Sequence, residues 1–178
     1  MDQILRRWQF AGFVFTAAAG TLLHYLFEWS GNLSILGVIS AVNESVWEHM
    51  KLLFIPMFLF MLVEMTVLGE QYRSFWRSKL MGTLLGLLLI PMLHYTYTGA
   101  LGFRLTWLDI SIFYVAAAAA FLLETRLLLR HSRSGALELP SMLLIWLLAF
   151  TCLIFTYVTP RLPIFQDPLT FTYGIPRK

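Results

Sequence analysis

The stretch HMKLLFIPMFLFMLVEMTVL, His49 to Leu68, holds Lys51 near its start and Glu64 near its end, with apolar residues almost throughout between them. Roughly 20 mainly apolar residues are what a helix needs to cross the hydrocarbon core of a bilayer. Inside lipid the backbone must satisfy its own polar groups, so such a run is read as a helix and not as a single strand. Working outward, stretches of the same kind occur at about 9–28, 80–99, 110–129 and 141–159. The sequence therefore predicts an all-α integral membrane bundle of five spans, forming one transmembrane domain over 1–178. Residues 160–178 follow as a non-helical outer tail. The run Ile35–Val42 is too short to cross and is expected to be interfacial or re-entrant.

The composition agrees. Apolar residues make up 58% of the 178 residues and charged residues 13%, against about 45–50% and 25% in ordinary soluble domains. A soluble domain of this size leaves too much surface wet to hide that apolar excess. The net charge is +3, but the basic residues are scattered in short groups between apolar runs. They form no continuous track for nucleic acid, which is excluded as a partner; the expected partner is the lipid bilayer. Arg6 and Arg7 followed by Ala17-Ala18-Ala19 resemble a secretion signal. The apolar run continues to Phe27, however, so an uncleaved first span is expected. The single Cys152 has no second cysteine to pair with.

Orientation follows from Lys and Arg. Arg6, Arg7, Arg73, Arg77, Lys79, Arg126, Arg130 and Arg133 fall on one side. Lys51, Arg104, Arg161, Arg177 and Lys178 fall on the other. The bias predicts a protein of the cell membrane with a cytoplasmic N-terminus and an outside C-terminus. Trp8, Trp29, Trp47, Trp76 and Trp107 lie near span ends, as interfacial anchors do.

Gly82-x-x-x-Gly86 and the run Ala116–Ala120 offer smooth faces for close helix approach. Packing within the chain is expected at both, with a homo-oligomer contact as the alternative. Pro56 and Pro91 interrupt spans two and three, and a kink at Pro91 would widen the bundle near His94. No internal repeat is visible, which counts against an inverted-repeat transporter.

At about 1.5 Å of rise per residue, His24 and His94 come to similar heights in the outer half, each roughly 21–22 Å above the cytoplasmic side. Glu28 sits one turn above His24. The second span enters through Asn43-Glu44-Ser45-Val46-Trp47-Glu48-His49, where Ser45 and Glu48 have capping-box spacing. Glu44, Glu48 and Lys51 share a stripe by helical periodicity, with His49 off it. Asp109 opens the fourth span. The candidate outer pocket is thus His24, Glu28, Asn43, Glu44, Glu48, His49, His94, Asp109 and Asp167. In the inner half only Glu64 and Glu124 stand out, with Arg73, Arg77 or Arg126 as expected partners.

Three chemistries suit the outer cluster. His24, His49, His94 and Glu48 could supply the N and O ligands of a divalent metal such as zinc, which could then activate water for hydrolysis of a lipid-derived substrate. The cluster could instead bind a metal, an ion or a small polar group without reaction. It could also be a stabilising network in which Lys51 and Arg161 neutralise carboxylates. A compact His-Glu-x-x-His is absent, as are a nucleophile elbow and a phosphate-binding glycine loop. Binding is the leading expectation, and the inner half's lack of polar groups argues against a full transport path. The tail, with Pro160, Pro163, Pro168 and Pro176, either folds back over the polar end, bringing Asp167 near it, or is loose.

Along nearly its whole length the chain resembles an uncharacterised family of small bacterial membrane proteins, known as a domain of unknown function. The resemblance rests on His24–Gly31, on Val42–Leu52 with its Asn-Glu-Ser-Val-Trp-Glu-His string, on Tyr95–Gly99 and on Asp167–Ile175. It implies a multi-pass membrane protein and no particular activity. Likeness to ceramidase-type membrane hydrolases extends only to histidines in a helical bundle, and is analogy.

Overall fold

The computed structural model describes residues 2–130 and 137–175. Five helices build it: α1 (Asp2–Trp29), α2 (Val46–Leu68), α3 (Phe75–Leu101), α4 (Thr106–Leu129) and α5 (Glu138–Tyr157). All five are long and apolar enough to cross a membrane. Two single-turn 3₁₀ helices, Leu36–Val38 and Pro163–Phe165, complete the order, and no strand occurs among the described residues. Arg133, Pro176, Arg177 and Lys178 lie outside the described residues.

Helices α1 and α3 begin well before the apolar windows that mark them. Helix α1 starts at Asp2 and α3 at Phe75, so Gln9 and Lys79 are helical interior positions, both buried. At the start of α3 the Glu138 carboxylate accepts from the backbone N–H of Trp76 at 2.9 Å and of Arg77 at 3.2 Å. A carboxylate there meets the exposed donors and the positive end of the helix dipole. Helix α3 ends at Gly102, which adopts φ +77°, a conformation that costs glycine little.

Helix α3 packs along α4, α1 lies against α2 and α4, and α5 rests on α3 and α2. The α3–α4 seam is made by small residues. A Cβ built on Gly82 would lie 2.8 Å from the Ala120 carbonyl oxygen and 2.3 Å from Glu124 Cγ, and one on Gly86 would lie 3.2 Å from Ala120 Cβ. The glycine pair of the third span and the alanine run of the fourth thus face each other within one chain. The outer flanks of α1 and α5 stay apolar and exposed, with Phe10, Leu22, Leu143, Leu147 and Phe150 among them. That is the surface a lipid solvent requires.

The connection from α1 to α2 does not cross the bundle. Its 3₁₀ turn packs on α1 and α5, and Ser40, Ala41 and Val42 are buried beneath it. The tail folds back over the same end. Phe165 packs tilted against Trp47, ring centres 4.8 Å apart, and edge-to-face with Phe155 at 5.4 Å, and Asn43 Nδ2 donates to the Gly174 carbonyl at 3.0 Å.

Candidate functional site

A cavity of about 360 Å³ opens at the end of the bundle where α1 finishes and α2 and α4 begin. Its polar wall is His24, Glu44, His49, Arg104 and Asp109; its apolar wall includes Leu52, Ile110, Phe113 and, from the tail, Leu169. Below it Thr21 and Tyr114 share a hydrogen bond of 2.9 Å between α1 and α4. Tyr25, Ile110 and Tyr114 beside this opening are exposed on the lateral flank. The backbone makes the space: a Cβ on Gly20 would come within 2.9 Å of the Leu52 carbonyl oxygen and 2.5 Å of Phe113 Cζ, so α1 can approach α2 this closely only at glycine.

Glu44 stands between two imidazoles, 3.5 Å from His24 Nε2 and 3.8 Å from His49 Nε2. Both separations are too long for a good hydrogen bond. His49 Nδ1 lies 2.9 Å from the Ser45 carbonyl oxygen. A carbonyl can only accept, so Nδ1 carries the proton and Nε2 of the neutral ring presents a lone pair. Glu44 and His49 therefore offer acceptors that a hydrogen-bond donor placed between them would satisfy.

Asp109 is served differently. His94 Nδ1 donates to Oδ1 at 2.7 Å, the Tyr97 hydroxyl donates to the same oxygen at 2.7 Å, and Arg104 donates to Oδ2 at 3.1 Å. A carboxylate with three donors is a positioned structural acceptor. It orients the His94 ring and ties Arg104 to the cavity wall, while Arg104 Nε stays buried without an acceptor among the described residues. A small void lined by His49, His94 and Asp109 joins the two groups. Three histidines from three helices thus line neighbouring recesses, His24 and His49 one and His49 and His94 the other.

The other expected members lie apart. Glu48 turns away from His49 and pairs with Lys51 at 2.6 Å, accepting also from the Val42 N–H at 3.0 Å. Lys51 donates further to the Gly37 carbonyl at 2.7 Å and to Thr156 at 3.1 Å. This buried pair fastens the α1–α2 connection to α5. The capping box is half formed: Ser45 Oγ accepts from the Glu48 N–H, but Ser45 N–H is taken by Asn43 Oδ1 at 2.9 Å. Asn43 is thus a hinge pin for loop and tail. Glu28 is exposed on α1, and Arg161 is exposed on the tail. Asp167 is buried in the tail's own turn, accepting from the Leu169 N–H at 2.8 Å. Among the described residues no set of three or more His, Cys, Asp or Glu side chains gathers as a metal ion requires.

The half of the bundle away from the cavity corrects the expected arginine pairing. Glu64 and Glu124 both pair with Lys79, the latter at 2.6 Å, and Gln9 Nε2 donates to Glu64. Lys79 counts as a loop charge only if α3 begins at 80; beginning at Phe75, the helix carries it inside. That half is therefore not bare.

A bundle of helices able to cross a membrane, with a cavity at one end polar on one side and apolar on the other, is the class that fold and site define. The chain belongs to a family of unknown function, DUF6512, whose profile matches residues 2–175. No curated protein and no solved structure matches the chain.

Proposed function

We propose that the chain is a multi-pass protein of the cell membrane, N-terminus inside, whose outward cavity binds the hydroxyl-bearing head of a small amphiphile. The observation that carries this is the unfinished hydrogen bonding around Glu44. Among the described residues no hydrogen-bond donor stands between Glu44 and His49 Nε2. A hydroxyl supplies that donor, whereas an ionised carboxylate supplies acceptors only. Arg104 is balanced by Asp109 and Glu44 adds a carboxylate to the wall, which disfavours an anionic head. Leu52, Ile110, Phe113 and Leu169 suit the first carbons of an apolar chain, and the flank between α1 and α4 gives that chain a way into lipid. Small-molecule sites commonly combine an apolar lining with a few placed polar groups.

The test is thermal unfolding of the protein in nanodiscs with monoacylglycerol or with fatty acid of the same chain length. Monoacylglycerol raises the melting temperature, fatty acid does not, and Glu44→Gln removes the difference. Equal or greater stabilisation by the fatty acid would refute the reading.

A further inference from the structure

Far from the outer cavity, four helices each send one polar side chain to a common point in the inner half of the bundle. They are Gln9 from α1, Glu64 from α2, Lys79 from α3 and Glu124 from α4. All four are buried; Lys79 is 1% exposed, and Glu64 and Glu124 are 0%. Two carboxylates share one ammonium. If all three were ionised, a net negative charge would be enclosed inside a membrane-spanning bundle. Uncompensated charge there is strongly disfavoured, and a group so placed is neutralised instead.

What neutralises it can be read from the contacts. A metal cation would belong between the two carboxylates, but the Lys79 ammonium already occupies that position, 2.6 Å from Glu124 Oε2 and in contact with Glu64 Oε2. Both oxygens of Glu64 have a polar contact: Oε1 accepts from Gln9, and Oε2 touches the Lys79 ammonium as an ion pair without the geometry of a hydrogen bond. Glu124 has one oxygen on Lys79, while Oε1 is buried and has no partner among the described residues. That oxygen lies against the α3 backbone, where a Cβ on Gly82 would be 2.8 Å away. A proton needs no such room. The quartet is also short of donors, since Gln9 Oε1 is likewise buried and unserved, and a protonated carboxyl adds a donor.

We propose that the quartet is a proton-binding site, in which Glu64 is the ionised partner of Lys79 and Glu124 carries an exchangeable proton. Gln9, Glu64 and Lys79 are the polar and charged groups that face it from α1, α2 and α3. The inference is independent of what the outer cavity binds.

Infrared spectra of the protein in nanodiscs at neutral pH test it. Wild type shows a protonated-carboxyl C=O band that shifts in D₂O. Glu124→Gln, which imitates the protonated acid, loses that band and keeps the wild-type melting temperature. Glu64→Gln, which leaves Lys79 only one carboxylate, lowers it. An unchanged band in Glu124→Gln would overturn the proposal. So would a Glu124→Gln protein that fails to fold while Glu64→Gln folds, because the charge would then reside on Glu124. Stabilisation of wild type by sodium over choline, abolished by Glu124→Gln, would replace the proton with a cation and equally overturn it.

Discussion

Asp109, in the first turn of α4, accepts from His94 of α3 through Nδ1 at 2.7 Å, and so sets which face of that imidazole is free. The same carboxylate serves Tyr97 and Arg104, so its removal leaves three donors without an acceptor. Asp109→Ala is expected to lower stability by about 1–3 kcal/mol, the usual cost of unsatisfied buried polar groups. Thermal unfolding in nanodiscs reads this. An unchanged melting temperature would show that the His94 contact is not a constraint.

Glu44 and Glu28 separate binding from general surface charge. Glu44 lines the cavity and Glu28 is exposed outside it. Glu44→Gln should reduce the stabilisation by monoacylglycerol at least severalfold while leaving the ligand-free melting temperature nearly unchanged. Glu28→Gln should leave both as they are. Equal losses from the two changes would point to a diffuse charge effect.

The Glu48–Lys51 pair behaves as a structural clasp. Breaking a buried ion pair from one side typically costs about 3–5 kcal/mol, because the remaining charge is stranded. Lys51→Met should therefore destabilise strongly, and Glu48→Gln combined with Lys51→Met should recover part of the loss. A double variant no better than the single one would mean that the contacts of Lys51 with Gly37 and Thr156 carry the effect.

Gly82 and Gly99 lie on one helix in opposite surroundings. A Cβ at Gly82 collides with Glu124 and the Ala120 carbonyl, whereas nothing lies within 4 Å of Gly99. Gly82→Val should cost about 1–3 kcal/mol or more, as overpacking does, and reduce the yield of monodisperse protein. Gly99→Val is expected to be mild. Similar behaviour of the two would disprove the tight α3–α4 seam.

Metal removal gives a further discrimination. His24, Glu44 and His49 face one another without closing to metal-ligand spacing, and Glu48 is committed to Lys51. Treatment with a chelator should leave the monoacylglycerol response intact. Loss of the response, with recovery on adding zinc, would restore a metal to the site.

The spans were legible from the sequence, because apolar run length is a local quantity, and helical rise gave His24 and His94 their expected common height. The stripe of Glu44, Glu48 and Lys51 misled for a definite reason. Ser45 is the N-cap, so Glu44 precedes α2 and helical periodicity does not govern its direction. Freed from the helix, it swings to His24 and His49. Arg104 and Tyr97 escaped notice for a related reason. They reach Asp109 across a turn whose shape is set by Gly102, and only a folded connection brings them together. Lys79 was hidden by the boundary of α3. Polar residues at the start of a helix resemble loop residues until the cap, here Glu138 from a distant part of the chain, is known.

Leu169 forms part of the cavity wall although it follows all five helices in the chain. Synthesis delivers that residue after the five helices, so the helices can enter lipid with the recess still unroofed, and the turn that carries Leu169 settles later, beside the contacts of Phe165 with Trp47 and of Gly174 with Asn43. A chain ending just after Tyr157 would carry all five helices and still lack the part of the cavity wall that Leu169 supplies.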